Sequence, residues 1–265
     1  MSRIEKRFRE LQKNKQKAFI AYITAGYPNL AVTEKLVLEF SKIGVDIVEL
    51  GVPFSDPMAD GPLIQEASRV ALRNKVNLGA ILRLVKKIRR YTQIPICLMT
   101  YYNPIFAFGE NRFAKNSAVC GVDAVIVPDL PPEEGESFGQ LAKRHKLDVI
   151  SFVSPTTSGK RIKFIASPAK GFIYYVSLTG VTGPRQHLPS SIRQNIKKIK
   201  RFTRVPVCVG FGVSNHQQVL QIYALADGVI VGSAIIKNIK KNLYHADLIK
   251  KVSGFVRRLK GKTNV

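Results

Sequence analysis

Short apolar runs alternate with longer amphipathic segments along most of the chain. Eight runs are rich in Val, Ile, Phe or Tyr and are bounded by Gly, Pro, Asn or Asp, as β-strands are. They cover residues 18–24, 46–50, 94–100, 123–128, 149–153, 172–177, 205–210 and 228–232. Between them, apolar residues recur at helical spacing. This predicts helices over residues 30–43, 63–72, 78–91, 133–146, 190–202, 215–224 and 246–259.

The alternation of strands and helices predicts an α/β protein with a parallel sheet, and eight strands favour closure into a single (β/α)8 TIM barrel. An open doubly wound sheet is the alternative, but residues 24–28 do not form the glycine-rich turn that such a sheet normally carries after its first strand. Ahead of the first strand, Ile4, Phe8 and Leu11 recur at helical spacing. We expect one domain over residues 1–265, with an extra N-terminal helix within residues 1–17 packed on the barrel.

The net charge is the most unusual property of the composition. Lys and Arg number 42 against 18 Asp and Glu, which gives +24 at pH 7. Such a balance can attract nucleic acid or other polyanions, but no zinc finger, basic arm or aromatic RNA-binding platform accompanies it. We interpret the charge as a basic, solvated surface on the outer helices and expect no specific nucleic-acid binding. No run of about 18 uncharged apolar residues occurs, so no membrane span is predicted.

The cysteines and histidines give no sign of a metal or disulfide framework. Cys97, Cys120 and Cys208 are odd in number and far apart, which favours free thiols in a reducing cytoplasm. No ligand spacing relates the four histidines, and metal catalysis is therefore disfavoured. They are His145, His187, His216 and His245.

One carboxylate stands inside an apolar strand. Glu49 lies near the C-terminal end of the second run, on the same side as Ile47, and we expect that side to face the barrel interior. A lone buried carboxyl group tends to stay protonated unless something pairs with it. A structural ion pair at the barrel mouth is the alternative. Because catalytic residues of such barrels lie at the C-terminal strand ends, Glu49 is predicted to be an acid or base.

A second carboxylate, Asp60, follows on the long loop after that strand. Catalysis or binding is one interpretation; a turn or a cap for the following helix is the other, and spacing alone does not decide between them. Asp56 in the same loop is interpreted as a turn residue or a partner contact.

Glycine turns close the last two predicted strands. Gly210 and Gly212 follow the seventh strand, and Gly232 with Ser233 follows the eighth just before a helix. Loops at these two places commonly hold a phosphate through backbone N–H groups and a helix N-terminus. Two such turns at consecutive strand ends favour phosphate binding over tight connections alone, and a third turn at residues 180–184 could add another amide.

The residues 48–62, Val-Glu-Leu-Gly-Val-Pro-Phe-Ser-Asp-Pro-Met-Ala-Asp-Gly-Pro, resemble the signature of the tryptophan synthase α-subunit family. Residues 127–131, 180–183, 210–213 and 232–235 fit the same family in the same order. The resemblance extends from about residue 3 to beyond residue 242. It implies a (β/α)8 barrel that cleaves indole-3-glycerol phosphate to indole and glyceraldehyde 3-phosphate, without a metal or organic cofactor of its own.

The resemblance also implies roles for individual residues. Glu49 would be the general acid–base, Asp60 would hold the indole N–H, and Tyr174 rather than Tyr175 would be the active-site tyrosine. The implied phosphate site is Gly183, Gly212, Gly232 and Ser233, and Thr182 would lie in a loop that closes over Asp60. The implied walls of the indole pocket are Tyr22, Ile64, Met99, Phe211 and Ile235. Tyr22 stands where the family often has phenylalanine, which changes the polarity of that wall.

The family works with a β subunit that carries pyridoxal phosphate and receives the indole, so an α2β2 tetramer is implied. The loops around Asp56 and residues 180–189 would face that partner. Two other hypotheses remain open at this stage. One is a different barrel enzyme acting on a phosphate substrate, such as a sugar-phosphate isomerase or epimerase; the other is a non-catalytic partner that only activates a β subunit or associates with polyanions.

Overall fold

A computed structural model of the chain describes residues 1–176 and 190–261. Eight parallel strands pair in chain order, and β1 pairs with β8 to close a barrel. The strands are β1 (Ala18–Thr24), β2 (Ile47–Gly51), β3 (Ile96–Met99), β4 (Ala124–Ile126), β5 (Asp148–Val153), β6 (Ile173–Val176), β7 (Val207–Gly210) and β8 (Gly228–Val231). The predicted (β/α)8 TIM barrel is confirmed, and every strand lies within one residue of its predicted run.

Twelve helices surround or close the barrel in the two described ranges. They are α1 (Arg3–Lys13), α2 (Leu30–Lys42), α3 (Pro62–Arg73), α4 (Leu78–Ile88), α5 (Tyr102–Phe108), α6 (Glu110–Cys120), α7 (Glu136–Arg144), α8 (Gly159–Ala166), α9 (Ser190–Lys200), α10 (His216–Tyr223), α11 (Ser233–Lys241) and α12 (Leu248–Lys260). None of them is long and apolar enough to cross a membrane.

The helix predictions were wrong in two respects. Helix α7 was predicted from residue 133, but the amides of Glu134 and Gly135 both donate to the carbonyl of Pro131, and this turn delays the helix until Glu136. Helices α5, α6 and α8 were not predicted at all. They bury one to three side chains each.

Side chains inside the barrel form a core of their own, separate from the core between strands and helices. Every second strand residue points inward. The inward set contains Ala18, Ile20, Ile47, Cys97, Ala124, Ile126, Ile150, Phe172, Cys208 and Ile230. Helix α1 adds Ile4, Phe8 and Leu11 to this core, so it closes the end of the barrel at which the strands begin. We call that end the bottom of the barrel, and the opposite end its mouth.

Carboxylates at the bottom of the barrel hold neighbouring strands together. Asp46, Asp123 and Asp227 each precede a strand, and each accepts the N–H of a residue in the strand before it. These three bonds measure 2.7, 2.8 and 3.0 Å. Each aspartate also has a cationic partner, namely Arg7 for Asp46, Arg3 and Arg89 for Asp123, and Lys17 and Lys200 for Asp227. Such pairing at the bottom of a TIM barrel serves stability.

Candidate active site

Glu49 is completely buried in the middle of β2, with its neighbours in the strand register being Tyr22 on β1 and Cys97 on β3. Neither carboxyl oxygen has a hydrogen-bond partner among the described residues. Burial raises the pKa of Glu49 to about 8, because the charged form would lose its hydration without compensation. The structural ion pair considered from sequence is therefore not found within residues 1–176 and 190–261, and at neutral pH the group carries a proton that it can give away.

Asp60 is half-buried in the loop between β2 and α3. Tyr101 follows β3 in the chain. Its hydroxyl accepts a hydrogen bond from the Ala59 N–H at 2.9 Å and donates one to the Asp60 carboxylate. Burial raises the pKa of Asp60 to about 6, and the bond from Tyr101 opposes that rise. Asp60 is therefore mostly ionised at neutral pH.

The alternative interpretation of Asp60 as a helix cap does not describe its geometry. Helix α3 has Gly61 as its N-cap, without a side-chain hydrogen bond, and Pro62 at its first position. The Asp60 backbone carbonyl instead accepts a bond from the Gln65 side chain at 2.9 Å. The side chain of Asp60 is thus left to Tyr101 and to whatever enters the mouth.

Tyr101 is the site residue that the sequence analysis did not single out. Its position at the C-terminal end of a predicted strand was the available signal, because side chains there face the mouth of a barrel.

Of the two adjacent tyrosines on β6, Tyr174 faces the interior. Its ring packs on Phe152 with centroids 5.0 Å apart, and its pKa is raised first by burial and then by the nearby Glu49. Tyr175 points to the outer core, where the Asn195 side chain donates to its hydroxyl at 3.0 Å. The choice of Tyr174 over Tyr175 therefore agrees with the direction of the two side chains.

Glycines on neighbouring strands make room for two tyrosines at the mouth. A Cβ atom at Gly210 would lie 2.6 Å from the Tyr174 ring, and one at Gly51 would lie 2.2 Å from the Tyr22 hydroxyl oxygen. A Cβ at Gly232 would approach the Tyr22 ring to 3.1 Å. Gly210 and Gly232, which the sequence suggested only as phosphate turns, thus also allow these aromatic side chains to enter the barrel.

The remaining elements of a phosphate site lie at the ends of β7 and β8. Gly212 has a positive φ of 36° and open space around its Cα, so its backbone is accessible to a ligand. Helix α11 begins at Ser233 with Gly232 as an N-cap that offers no side-chain bond, which leaves first-turn N–H groups available to an anion. Thr182 and Gly183, the other predicted contacts, lie outside the described residues.

The predicted apolar walls are brought to the same end of the barrel. Met99 ends β3 and packs on the interior core, while Ile64 in the first turn of α3 and Phe211 after β7 are half-buried. Ile235 is fully buried between the strands and α11, so it supports the wall from behind. No cluster of three or more His, Cys, Asp or Glu side chains that could hold a metal occurs within residues 1–176 and 190–261.

Comparisons with known proteins give a consistent result. The family model described as tryptophan synthase alpha chain matches residues 8–264. The tryptophan synthase alpha chain of Geobacter sulfurreducens is 49% identical over 260 residues, which cover 98% of each chain.

Solved structures agree with this result. The tryptophan synthase subunit alpha from Legionella pneumophila superposes with a TM-score of 0.91 at 36% identity, covering 98% of this chain and 97% of that one. A chain from the tryptophan synthase α2β2 complex of Pyrococcus furiosus gives a TM-score of 0.86 at 37% identity over 91% and 97% of the two chains.

These matches extend over nearly the whole chain, so they set aside an unrelated isomerase or epimerase on the same fold. The α subunit binds no pyridoxal phosphate itself, since that cofactor sits in the β subunit. The chain therefore belongs to the tryptophan synthase alpha chain family, the lyases that cleave indole-3-glycerol phosphate in tryptophan biosynthesis.

Proposed function

We propose that Glu49 and Asp60 perform this cleavage from opposite protonation states. The observation that carries the proposal is the contrast between them at one barrel mouth. Glu49 is fully buried without a partner among the described residues, whereas Asp60 is half-buried and held by a tyrosine. Near pH 7 the first is protonated and the second is ionised. One group can then act as an acid while the other offers a negative charge.

In the proposed reaction, Glu49 delivers its proton to C3 of the indole ring. The hydroxyl on the adjacent side-chain carbon then loses its proton, its oxygen forms a carbonyl, and the bond from that carbon to C3 breaks. The bonding electrons return to the ring, which leaves as indole, and the other product is glyceraldehyde 3-phosphate. The carboxylate that Glu49 has become is the base available for the hydroxyl proton.

Asp60 stabilises the intermediate of that sequence. Once C3 is protonated, the ring is electron-poor and its N–H becomes more acidic, so a fixed carboxylate beside the N–H stabilises the developing positive charge. Gly212, Gly232 and Ser233, with Thr182 and Gly183, would bind the phosphate, and Tyr22, Ile64, Met99 and Phe211 would enclose the ring. Tyr174 would contact the substrate beside Glu49.

We also propose that the chain acts in the cytoplasm as a single domain of residues 1–265, in an α2β2 tetramer with a β subunit that holds pyridoxal phosphate. The α2β2 complex of the Pyrococcus furiosus relative supports this assembly. An exposed Met58 and Phe106 near the mouth provide apolar contacts for a partner on that face.

The purified chain should be incubated with indole-3-glycerol phosphate, and indole and glyceraldehyde 3-phosphate should be measured with and without a tryptophan synthase β subunit. We expect the two products in equal amounts, and faster turnover with the β subunit. Glu49→Gln is the control for contaminating activity. Absence of indole under both conditions would contradict the proposed function, whereas indole from the α chain alone with no effect of β would contradict only the assembly.

A further inference from the structure

A tyrosine hydroxyl lies between the two carboxylates of the site. Tyr22 is paired with Glu49 in the β1–β2 register. Its hydroxyl oxygen lies directly over Gly51, because a Cβ there would be 2.2 Å away. Glu49 and Gly51 share one face of β2, and the loop that carries Asp60 leaves from the same strand end. The Tyr22 hydroxyl therefore lies between Glu49 and the loop that carries Asp60.

This hydroxyl is buried but poorly satisfied. Its one hydrogen bond within the described ranges joins it to the Thr24 Oγ1 at 3.5 Å, the outer limit for an O–H···O bond. Tyr22 and Thr24 are 5% and 1% exposed, so both side chains are largely withdrawn from bulk solvent. A buried donor with so weak a bond gains from any stronger acceptor within reach.

The charged and titratable groups around Tyr22 identify that acceptor. After burial, Asp60 is the largest influence that raises the pKa of Tyr22, ahead of Glu49 and Tyr101. Tyr174 faces Tyr22 from β6. In the described part of the chain, no Lys or Arg forms an ion pair with either carboxylate. Since Glu49 holds its proton near neutral pH, Asp60 is the anion that competes for the hydroxyl.

We propose that Tyr22 is a positioning residue, whose hydroxyl exchanges its weak bond to Thr24 for a bond to ionised Asp60. Tyr22 and Tyr101 then approach Asp60 from the two strands that flank β2, and together they keep the carboxylate charged and directed at the indole N–H. A hydrogen bond to an anion is stronger than one between neutral groups. Phenylalanine would supply the same apolar wall without this donor. The inference rests on the proposed role of Asp60.

The first test is the pH dependence of kcat/KM for indole-3-glycerol phosphate in Tyr22→Phe. Asp60 sets the acid limb of the profile. Because Tyr22→Phe removes a hydrogen-bond donor to the ionised form of Asp60, this limb should move upward by about 0.5–1 pH unit. That shift corresponds to a loss of kcat/KM of about 3- to 10-fold below pH 6. The alkaline limb, which Glu49 sets, should stay in place. An unmoved acid limb, or a shift of the alkaline limb instead, overturns the proposal.

Thr24→Val is the matched control, because it removes the competing partner of the same hydroxyl while keeping the side-chain shape. Its acid limb should stay where it is or move down, opposite to Tyr22→Phe; an upward shift in both variants would show a merely structural effect and overturn the proposal. A ¹³C NMR titration of the Asp60 carboxyl in substrate-free protein reads the same pKa without turnover. A wild-type chain that releases no indole refutes the proposed function, while the titration still decides whether Tyr22 acts on Asp60.

Discussion

The two ends of the barrel treat buried carboxylates in opposite ways. At the bottom, Asp123 accepts bonds from the backbone of β3 and from the guanidinium groups of Arg3 and Arg89. At the mouth, Glu49 is more deeply buried, and neither of its oxygens has a partner in the part of the chain that the structure describes. Both carboxylates lose hydration on folding, but only the one at the bottom regains strong bonds.

The difference shows how burial alone fails to separate structural from chemical roles. An ion-paired carboxylate has its oxygens occupied by cationic and backbone donors, so it braces strands and offers no free oxygen to a reactant. A carboxyl group without partners keeps its proton and can release it during a reaction. Asp60 lies between these extremes, with the Tyr101 hydroxyl as a donor. The state of pairing, more than the depth of burial, indicates where the chemistry takes place.

The largest expected effect is on catalysis by Glu49→Gln. The amide fills the same space but has no proton to transfer, so kcat should fall by about 10²–10⁴-fold. Circular dichroism and thermal unfolding near pH 8 should show a folded protein at least as stable as the wild type, because the neutral amide replaces an acid whose ionisation in this buried position costs stability. Near-normal turnover would remove Glu49 from the mechanism.

At the opposite end, Asp123→Asn should cost stability and spare catalysis. The change leaves the mostly buried Arg89 without its counter-ion, and we expect the free energy of unfolding to drop by about 3–5 kcal/mol in urea titrations. Arg3→Ala is the matched control: Arg3 is the exposed partner of the same carboxylate, and its loss should cost less than about 1 kcal/mol. Equal losses for the two variants would refute the distinction between buried and exposed pairing.

The pH dependence of stability should also differ between Glu49→Gln and the wild type. The folded pKa of Glu49, about 8, lies above its ordinary value of 4.5, so between these values the folded chain binds a proton that the unfolded chain has released. Its contribution to the free energy of unfolding therefore falls as the pH rises from 4.5 to 8. Relative to the wild type, Glu49→Gln should gain stability over this range, by about 1–4 kcal/mol at pH 8. Urea unfolding at pH 5, 6.5 and 8 measures this gain, and a difference independent of pH would contradict it.

The smallest effect is expected at the partly paired carboxylate. Tyr101→Phe removes the donor to Asp60 and the acceptor of the Ala59 N–H, and kcat/KM should fall about 5- to 10-fold, equivalent to one ordinary hydrogen bond. The acid limb of the pH profile should move upward as Asp60 becomes easier to protonate. An unchanged pH profile with reduced stability would assign Tyr101 to the fold alone.

The sequence predicted the barrel well because strand boundaries are local signals: eight apolar runs with turn residues at their ends need no knowledge of tertiary structure. Helix α5 buries a single side chain, and α6 buries Phe113 with only the small Ala114 and Ser117, so neither leaves an apolar period of comparable strength. Glu49 was conspicuous as a charge inside an apolar strand. Its lack of a partner among the described residues depends on side chains from distant strands, and spacing could not reveal it.

Other parts of the site required different information. The predicted role of Asp60 came from resemblance to a family, since a loop aspartate is by itself compatible with a turn. Tyr101 was missed because its contact with the Asp60 loop joins residues 42 positions apart in the chain, one strand-to-strand connection away. Gly210 and Gly232 serve both as loop glycines and as space for tyrosine rings. The second use could not be predicted, because it depends on which strands become neighbours in the closed sheet.

Helix α1 also has a consequence for the order in which the chain assembles. It precedes all eight strands in the chain, yet Arg3 pairs with Asp123, 120 residues later. Its apolar face joins a core that includes Ile230 of the last strand. Helix α1 can therefore dock only after the strands at the bottom of the barrel have formed. During synthesis it stays undocked until then. Its capping box is formed by Ser2 and Glu5 alone, so the start of the helix is specified without any contact to the barrel.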